Sequence, residues 1–237
     1  MELLNVHEVD DAWCENGLQV EGAENVKKIA LGVSASAKFL QDASDWGAEM
    51  CIVHHGLFWG KGETKIVGIL KKRLQILLSK NISLLNFHIP LDAHAEVGNN
   101  AGLIEVLHLK NQKPVNCGFI AELEKPMSFG AFVDLVEEKI GKVLLAEHFS
   151  GVPVKKVGVI SGGAADFAIE VKAEGADTFL FGEMNEHHYH DLKEMELSFV
   201  AAGHYATEKL GVQRLGKRIA EHFSDVEVKF FEENCPI

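Results

Sequence analysis

Two adjacent histidines close an apolar run in CIVHHGLFW, residues 51–59. Imidazoles at that position can hold a metal ion, shuttle a proton or cap a loop, and the spacing of other polar residues bears on the choice. ISLLNFHIPLD ends a second apolar run with His88 and, four residues on, Asp92. A third run, LSFVAAGH, ends in Gly203-His204, and Glu208 follows one helical turn later, so His204 and Glu208 share a helix face. This set of nitrogen and carboxylate donors without sulfur suits zinc, iron or manganese better than copper(I). Two such ions need a bridging carboxylate against their mutual repulsion, and Glu208 is the natural choice. A pair of metals lowers the pKa of bound water and clamps an oxyanion, the chemistry of hydrolysis. The plain alternative is that strand-end histidines are hydrogen-bonding residues and that a helical His-x-x-x-Glu pair has arisen by chance.

These residues need elements to carry them. Side chains alternate along a strand, so His54 and His55 point to opposite faces unless the strand has already ended. Runs rich in β-formers alternate with stretches whose apolar residues recur three and four apart, the pattern of βα units rather than hairpins. VKKIALGVSA leads to a helix over 37–46 and then to the strand ending in HH; IVGILKKRLQILLSK repeats at helical spacing. NNAGLIEVLHL reads as a helix opening on Asn99 or Asn100 as cap. The first hundred residues therefore read as a three-layer α/β unit. KNQKPVN is polar and carries a proline, the candidate boundary. Alternation then restarts and closes with a helix over YATEKLGVQRLGKRIAEHF and the strand VEVKFFE. Ligands in open α/β sheets bind beyond the carboxyl ends of strands, which is where the histidines fall.

The 237 residues allow one large or two small domains. Apolar residues make up 47% and charged residues 24%, ordinary for a globular chain. With 35 acids against 23 bases the formal net charge is -12, which disfavours nonspecific nucleic-acid or anionic-lipid binding. A nucleic-acid role would need lysines such as Lys27, Lys28, Lys155 and Lys156 gathered on one surface. The opening MELLNVHEVDDAWCENG has no basic stretch before a long apolar run, and no later segment has the length of a membrane span, so a cytoplasmic chain is expected. Cys14, Cys51, Cys117 and Cys235 are scattered without a CxxC pair, which suggests neither a disulfide framework nor a thiolate zinc site.

Glu183 ends a predicted strand, with His187 four residues on and His188 beside it. Proton transfer by Glu183 or His187 stands against a structural reading in which Glu183 caps the next helix and the histidines face solvent. SGGAADF follows a strand and could set backbone N–H groups around a phosphate, but it lacks the Walker lysine and the GxGxxG order; tight packing at a turn explains its glycines as well. Phe58 and Trp59 wall a pocket or belong to the core.

HHGLFW, NFHIPLDAHAEVGNN, ISGGAADF and GHYATEKLGV match, in order and spacing, the signature segments of the GTP cyclohydrolase 1 type 2 homolog family, the Nif-three-like proteins, and WCENGLQVEG resembles that family's opening segment. The resemblance runs from about residue 10 to residue 230 and is to the compact bacterial form. It implies two α/β domains of the Nif-three-like fold facing a metal-containing cleft: a first domain over residues 1–110 and 205–237 and a second over 111–204. It also implies two divalent ions per chain, one held by His55 and Asp92, the other by His54 and His204, with Glu208 bridging. His88 corresponds to a further histidine beside the metals. A ring-shaped homohexamer is implied as well. The chain departs from the family pattern at three points: Gly56 replaces the proline of HHP, Ser34 stands at the usual aspartate after the first strand, and Glu183 replaces the aspartate of a TGD-like segment.

The expected function is a dinuclear metal-dependent hydrolase acting on a nucleotide-like or phosphoester substrate, with His88, Glu183 and His187 as candidate catalytic residues. The alternative is a non-catalytic metal-stabilised ring that binds a partner protein or a metabolite.

Overall fold

The computed structural model describes residues 2–6, 8–60 and 65–237. In chain order the elements are β1 (Gly17–Val20), β2 (Lys28–Ser34), α1 (Ala37–Trp46), β3 (Met50–His55), α2 (Gly68–Lys80), β4 (Ser83–Asn86), α3 (Ile89–Asp92), α4 (Asn99–Val106), β5 (Lys110–Val115), β6 (Gly118–Met127), α5 (Phe129–Lys139), β7 (Leu145–Glu147), β8 (Val154–Val159), α6 (Ala168–Ala173), β9 (Thr178–Phe181), α7 (Glu186–Glu194), β10 (Ser198–Ala201), α8 (His204–His222) and β11 (Glu227–Phe230). Short 3-10 turns precede β1 and α6.

Two compact units divide the chain: Met1–Leu91 with Gly211–Asn234, and Asp92–Leu210 with Cys235–Ile237. The first holds a sheet of order β1-β4-β3-β2-β11, parallel except for β1. One face packs on α1 and α2: Phe39, Leu40 and Ala43 of α1 and Leu70, Leu74 and Leu77 of α2 share a core with Ala30, Cys51, Val53 and Leu84. Those helix positions recur at three and four, which is why the segments fold as helices with one buried stripe. Ser36 starts α1, its Oγ accepting from the backbone N–H of Phe39 at 2.9 Å. On the opposite face, a Cβ at Gly216 of α8 would meet a Leu31 methyl at 2.1 Å, so a larger residue there would require Leu31 to move.

The second unit has a mixed sheet of order β5-β6-β8-β9-β10-β7. Its alternating side chains feed two cores. Phe119, Ala121, Val157 and Val159 pack with Leu103, Leu107, Phe132 and Val136 of α4 and α5, and Ile120, Phe179, Phe181 and Phe199 pack with Val171 and Leu192 of α6 and α7. Burial on both faces makes β9 and β10 read as continuous apolar runs.

Several local expectations change. KNQKPVN is no linker: Lys110–Val115 forms an edge strand paired antiparallel with β6, its proline tolerated at the sheet margin. The chain after α4 therefore continues into a hairpin rather than a βα unit. The compact units divide after Leu91, because α4, on the earlier side of the residue-110 boundary, packs against β6 and β8. The cap of α4 is Gly98, and Asn99 and Asn100 lie inside its first turn, buried.

Candidate functional site

In the first unit, β2, β3 and β4 run parallel and bring their carboxyl ends side by side. β4 pairs with β3 only as far as Asn86 opposite Val53, so beyond that point β3 is held on one side, where Ser34 pairs with His55. His54 and His55, expected to diverge, have ring centroids 4.6 Å apart, and His88, just past β4, lies 5.1 Å from His54 and 5.8 Å from His55. One ring nitrogen from each of the three falls within 4.8 Å of the others, a candidate metal-binding cluster.

Each imidazole is oriented through Nδ1. His54, fully buried, donates to the carbonyl of Phe87 at 2.8 Å. That bond places the proton on Nδ1 and the lone pair on Nε2, the nitrogen available to a metal. His55 Nδ1 lies 3.1 Å from Ser34 Oγ. His88 donates from Nδ1 to Asp11 Oδ2 at 3.0 Å, while its backbone N–H is received by Asn16 Oδ1 at 2.7 Å. Asn16 also donates to Asp11 at 2.8 Å. Burial opposes the charge on Asp11, but the hydrogen bonds from His88 and Asn16 outweigh it and hold the carboxyl at about 2. Asp11 had no signal in the sequence, since it lies in a loop without periodicity. A Cβ at Gly56 would sit 2.3 Å from Gln19 Oε1, which accepts from the backbone N–H of Leu57. Glycine after the histidine pair therefore makes room for a loop anchor. Phe58 packs on the core, whereas Trp59 is 41% exposed with its ring 5.6 Å from His55 and 5.1 Å from His88.

The second unit repeats the principle: β8, β9 and β10 are parallel, and their carboxyl ends lead to Ser161, Glu183 and His204. His204 donates from Nδ1 to Glu183 Oε1 at 2.8 Å, and its Nε2 lies 3.1 Å from Glu208 Oε2 one turn along α8. Burial disfavours the imidazolium, yet the hydrogen bonds and charges of Glu208 and Glu183 raise His204 to about 9. Glu183 is thus a partner of His204 and not a helix cap; Asn185 starts α7. Asp92 is buried and oriented by two donors to Oδ1, Asn99 at 2.9 Å and Ser161 Oγ at 2.8 Å. Gly162 has φ +69, and a Cβ on it would fall 2.1 Å from Glu208 Oε1 and 3.2 Å from His204 Nε2. Gly162 of SGGAADF therefore clears space for a carboxylate and an imidazole, and the six-residue α6 that follows offers no phosphate cradle.

His187 is grouped elsewhere, with Asp166 and His188. His188 accepts at Nδ1 from the backbone N–H of Asn185 at 3.0 Å and donates from Nε2 to Asp166 at 2.7 Å, so it serves as the reciprocal arm of a capping box. Its ring lies 3.9 Å from that of His187, tilted by 42°.

The donor sets fit divalent ions: buried or half-buried imidazoles with fixed Nδ1 protons, hydrogen-bonded carboxylates and a glycine loop that leaves them room. The chain has close relatives among known proteins. It is 39% identical over 231 residues to the GTP cyclohydrolase 1 type 2 homolog of Pseudomonas aeruginosa, covering 94% of this chain and 90% of the relative. Among solved structures it superposes on protein ybgI, described as of unknown function, with a TM-score of 0.95 at 37% identity, covering 100% of this chain and 96% of the other. The Thermus thermophilus protein TTHA1606 matches at TM-score 0.92 and 30% identity, with 100% and 96% coverage. The family profile described as Duf34/NIF3 (NGG1p interacting factor 3) matches residues 1–236. Signature segments, two-unit α/β fold and near-complete coverage agree: the chain belongs to the Duf34/NIF3 family.

Proposed function

We propose that the protein is a dinuclear metal-dependent hydrolase acting on a nucleotide-like or phosphoester substrate. His54, His55, Asp92, His204 and Glu208 are its metal ligands, in the pairing that the family resemblance implies, with Glu208 bridging. The observation that supports the reading is the shared orientation of the imidazoles: His54 and His204 each give the Nδ1 proton to an acceptor, the arrangement usual for a histidine that ligates through Nε2. The donors contain no thiolate, which favours zinc, iron or manganese. When bound, such ions lower the pKa of water and offset charge on a reacting oxygen. The chain's own groups supply the rest. Asp11 holds His88 in one tautomer through Nδ1, so Nε2 of His88 faces the cluster as the candidate acid and base. Glu183 positions His204. His187, exposed beside His188, is a second proton carrier for a substrate that reaches α7.

The relatives' name, GTP cyclohydrolase 1 type 2 homolog, supports a purine nucleotide as the first class to assay. The family description, an interacting factor, supports the second reading: a metal-stabilised ring that binds a partner protein or metabolite. In either reading the chain is a cytoplasmic homohexameric ring. No helix among the described residues is long and apolar enough to cross a membrane.

The first test is bound metal per chain by plasma mass spectrometry, followed by an activity screen over nucleotides and phosphoesters. About two equivalents, with hydrolysis abolished in His204→Ala, is the result expected of the enzyme. Two equivalents with no turnover across the screen would favour the ring. Light scattering on the same sample reads the assembly, a hexamer being expected.

A further inference from the structure

Trp59 follows the histidine pair by four residues and stands beside the cluster. Its ring centroid is 5.6 Å from that of His55 and 5.1 Å from that of His88, at interplanar angles of 50° and 77°. The indole therefore lies flat on neither imidazole, and 41% of the residue stays exposed. Its pose is nevertheless fixed. The indole N–H donates to the carbonyl of Gly56 at 3.1 Å. The backbone of Trp59 forms an antiparallel bridge with Cys14; beside it the N–H of Gly60 donates to the carbonyl of Trp13 at 2.7 Å, and the Cys14 thiol donates to the carbonyl of Phe58 at 3.4 Å. With its single polar atom satisfied by the backbone, the indole presents only apolar π surface to solvent.

We propose that Trp59 is the stacking platform for the base of a nucleotide substrate. The inference rests on the hydrolase reading above and narrows its substrate class to phosphoesters that carry a base. A planar heteroaromatic ring is the complement of a fixed indole face, because stacking asks for flat apolar contact and no directional bond. The indole keeps no polar atom with which to read a base edge, so the platform selects for the presence of a base and not for its identity. Its closeness to His55 and His88 keeps a stacked base within one nucleotide's length of the metal donors. The rival role for Trp59 is to shield the imidazoles from water. A shield works as well in leucine as in tryptophan, whereas a platform needs an aromatic face, which phenylalanine retains and leucine lacks.

The experiment uses the full chain loaded with zinc, its content measured first, with AMP and ribose 5-phosphate as probes in ligand-observed NMR titrations that also report any turnover. The parent should bind AMP about ten-fold or more tighter than ribose 5-phosphate. The adenine ring protons should shift upfield on binding, the signature of a base lying over the indole. Trp59→Leu should weaken AMP by about ten-fold, remove the upfield shift and leave ribose 5-phosphate binding as in the parent, whereas Trp59→Phe should hold AMP within about three-fold of the parent. Equal affinity of the parent for the two probes would overturn the inference, as would a missing upfield shift in the parent or unchanged AMP affinity in Trp59→Leu. Any of these with about two equivalents of zinc bound leaves the dinuclear reading standing. An upfield shift in a chain that takes up no zinc, iron or manganese would keep the platform and overturn the dinuclear reading. Should Trp59→Leu fail to fold, the parent's preference between the probes and its ring-current shift decide.

Discussion

Asp11 joins the ring of His88 to the turn that carries Asn16, and its side chain is only 3% exposed. Its carboxyl is held at about 2, below the ordinary 3.8, by hydrogen bonds that outweigh burial. A depressed carboxyl stabilises the fold at pH above the unfolded value, and that contribution is lost as pH falls from about 4 towards 2. We expect Asp11→Asn to lose about 2 kcal/mol at pH 7 and to show a flatter acid limb between those limits, read by urea denaturation at a series of pH values. Glu183 is the equivalent residue for His204. Glu183→Gln keeps an acceptor but removes the charge, and metal affinity should fall by about 10- to 100-fold in competition with a chelator while the fold persists. Ser34 completes this set as the uncharged partner.

Elements bring these residues together by one rule used twice. Parallel strands end in line, so β2, β3 and β4 present Ser34, His55 and His88, and β8, β9 and β10 present Ser161, Glu183 and His204. The first turn of α8 adds Glu208 to His204, and the loop after β8 has to yield space for both. Gly162→Ala tests that requirement. The added Cβ would stand 2.1 Å from Glu208 Oε1 in a left-handed backbone, so the variant should lose bound metal and about 1–3 kcal/mol of stability, measured by metal content and chemical denaturation. An unchanged metal content would show that the loop gives way without moving the carboxylate.

At the scale of the whole chain, each unit closes its own core around its own sheet, and the four cysteines report on that burial. Cys51 lies in the core of the first unit, where burial pushes its thiol up to about 12; burial and the nearby charge of Asp11 raise Cys14 to about 11. Cys235 is exposed and Cys117 half-buried. A thiol reagent at about pH 8 should therefore label Cys235 first and Cys51 only on unfolding, with Cys14 close to Cys51 in resistance, as followed by peptide mass spectrometry. Rapid labelling of Cys51 in the native protein would mean that the first unit's core opens readily.

The amino-acid sequence by itself determined the donor types, the one-turn spacing of His204 and Glu208, the helices over 37–46 and after His204, and the family. These are legible because helical periodicity and strand-end polarity are properties of neighbours a few residues apart. Tertiary structure alone decided that His54 and His55 converge, that Lys110–Val115 is a strand, and which group stands behind each ring. Asp11 meets His88 across 77 positions and Ser161 meets Asp92 across 69. Such contacts follow from sheet register and loop path, which the packing of both faces of each sheet sets, and no local pattern in the chain encodes them.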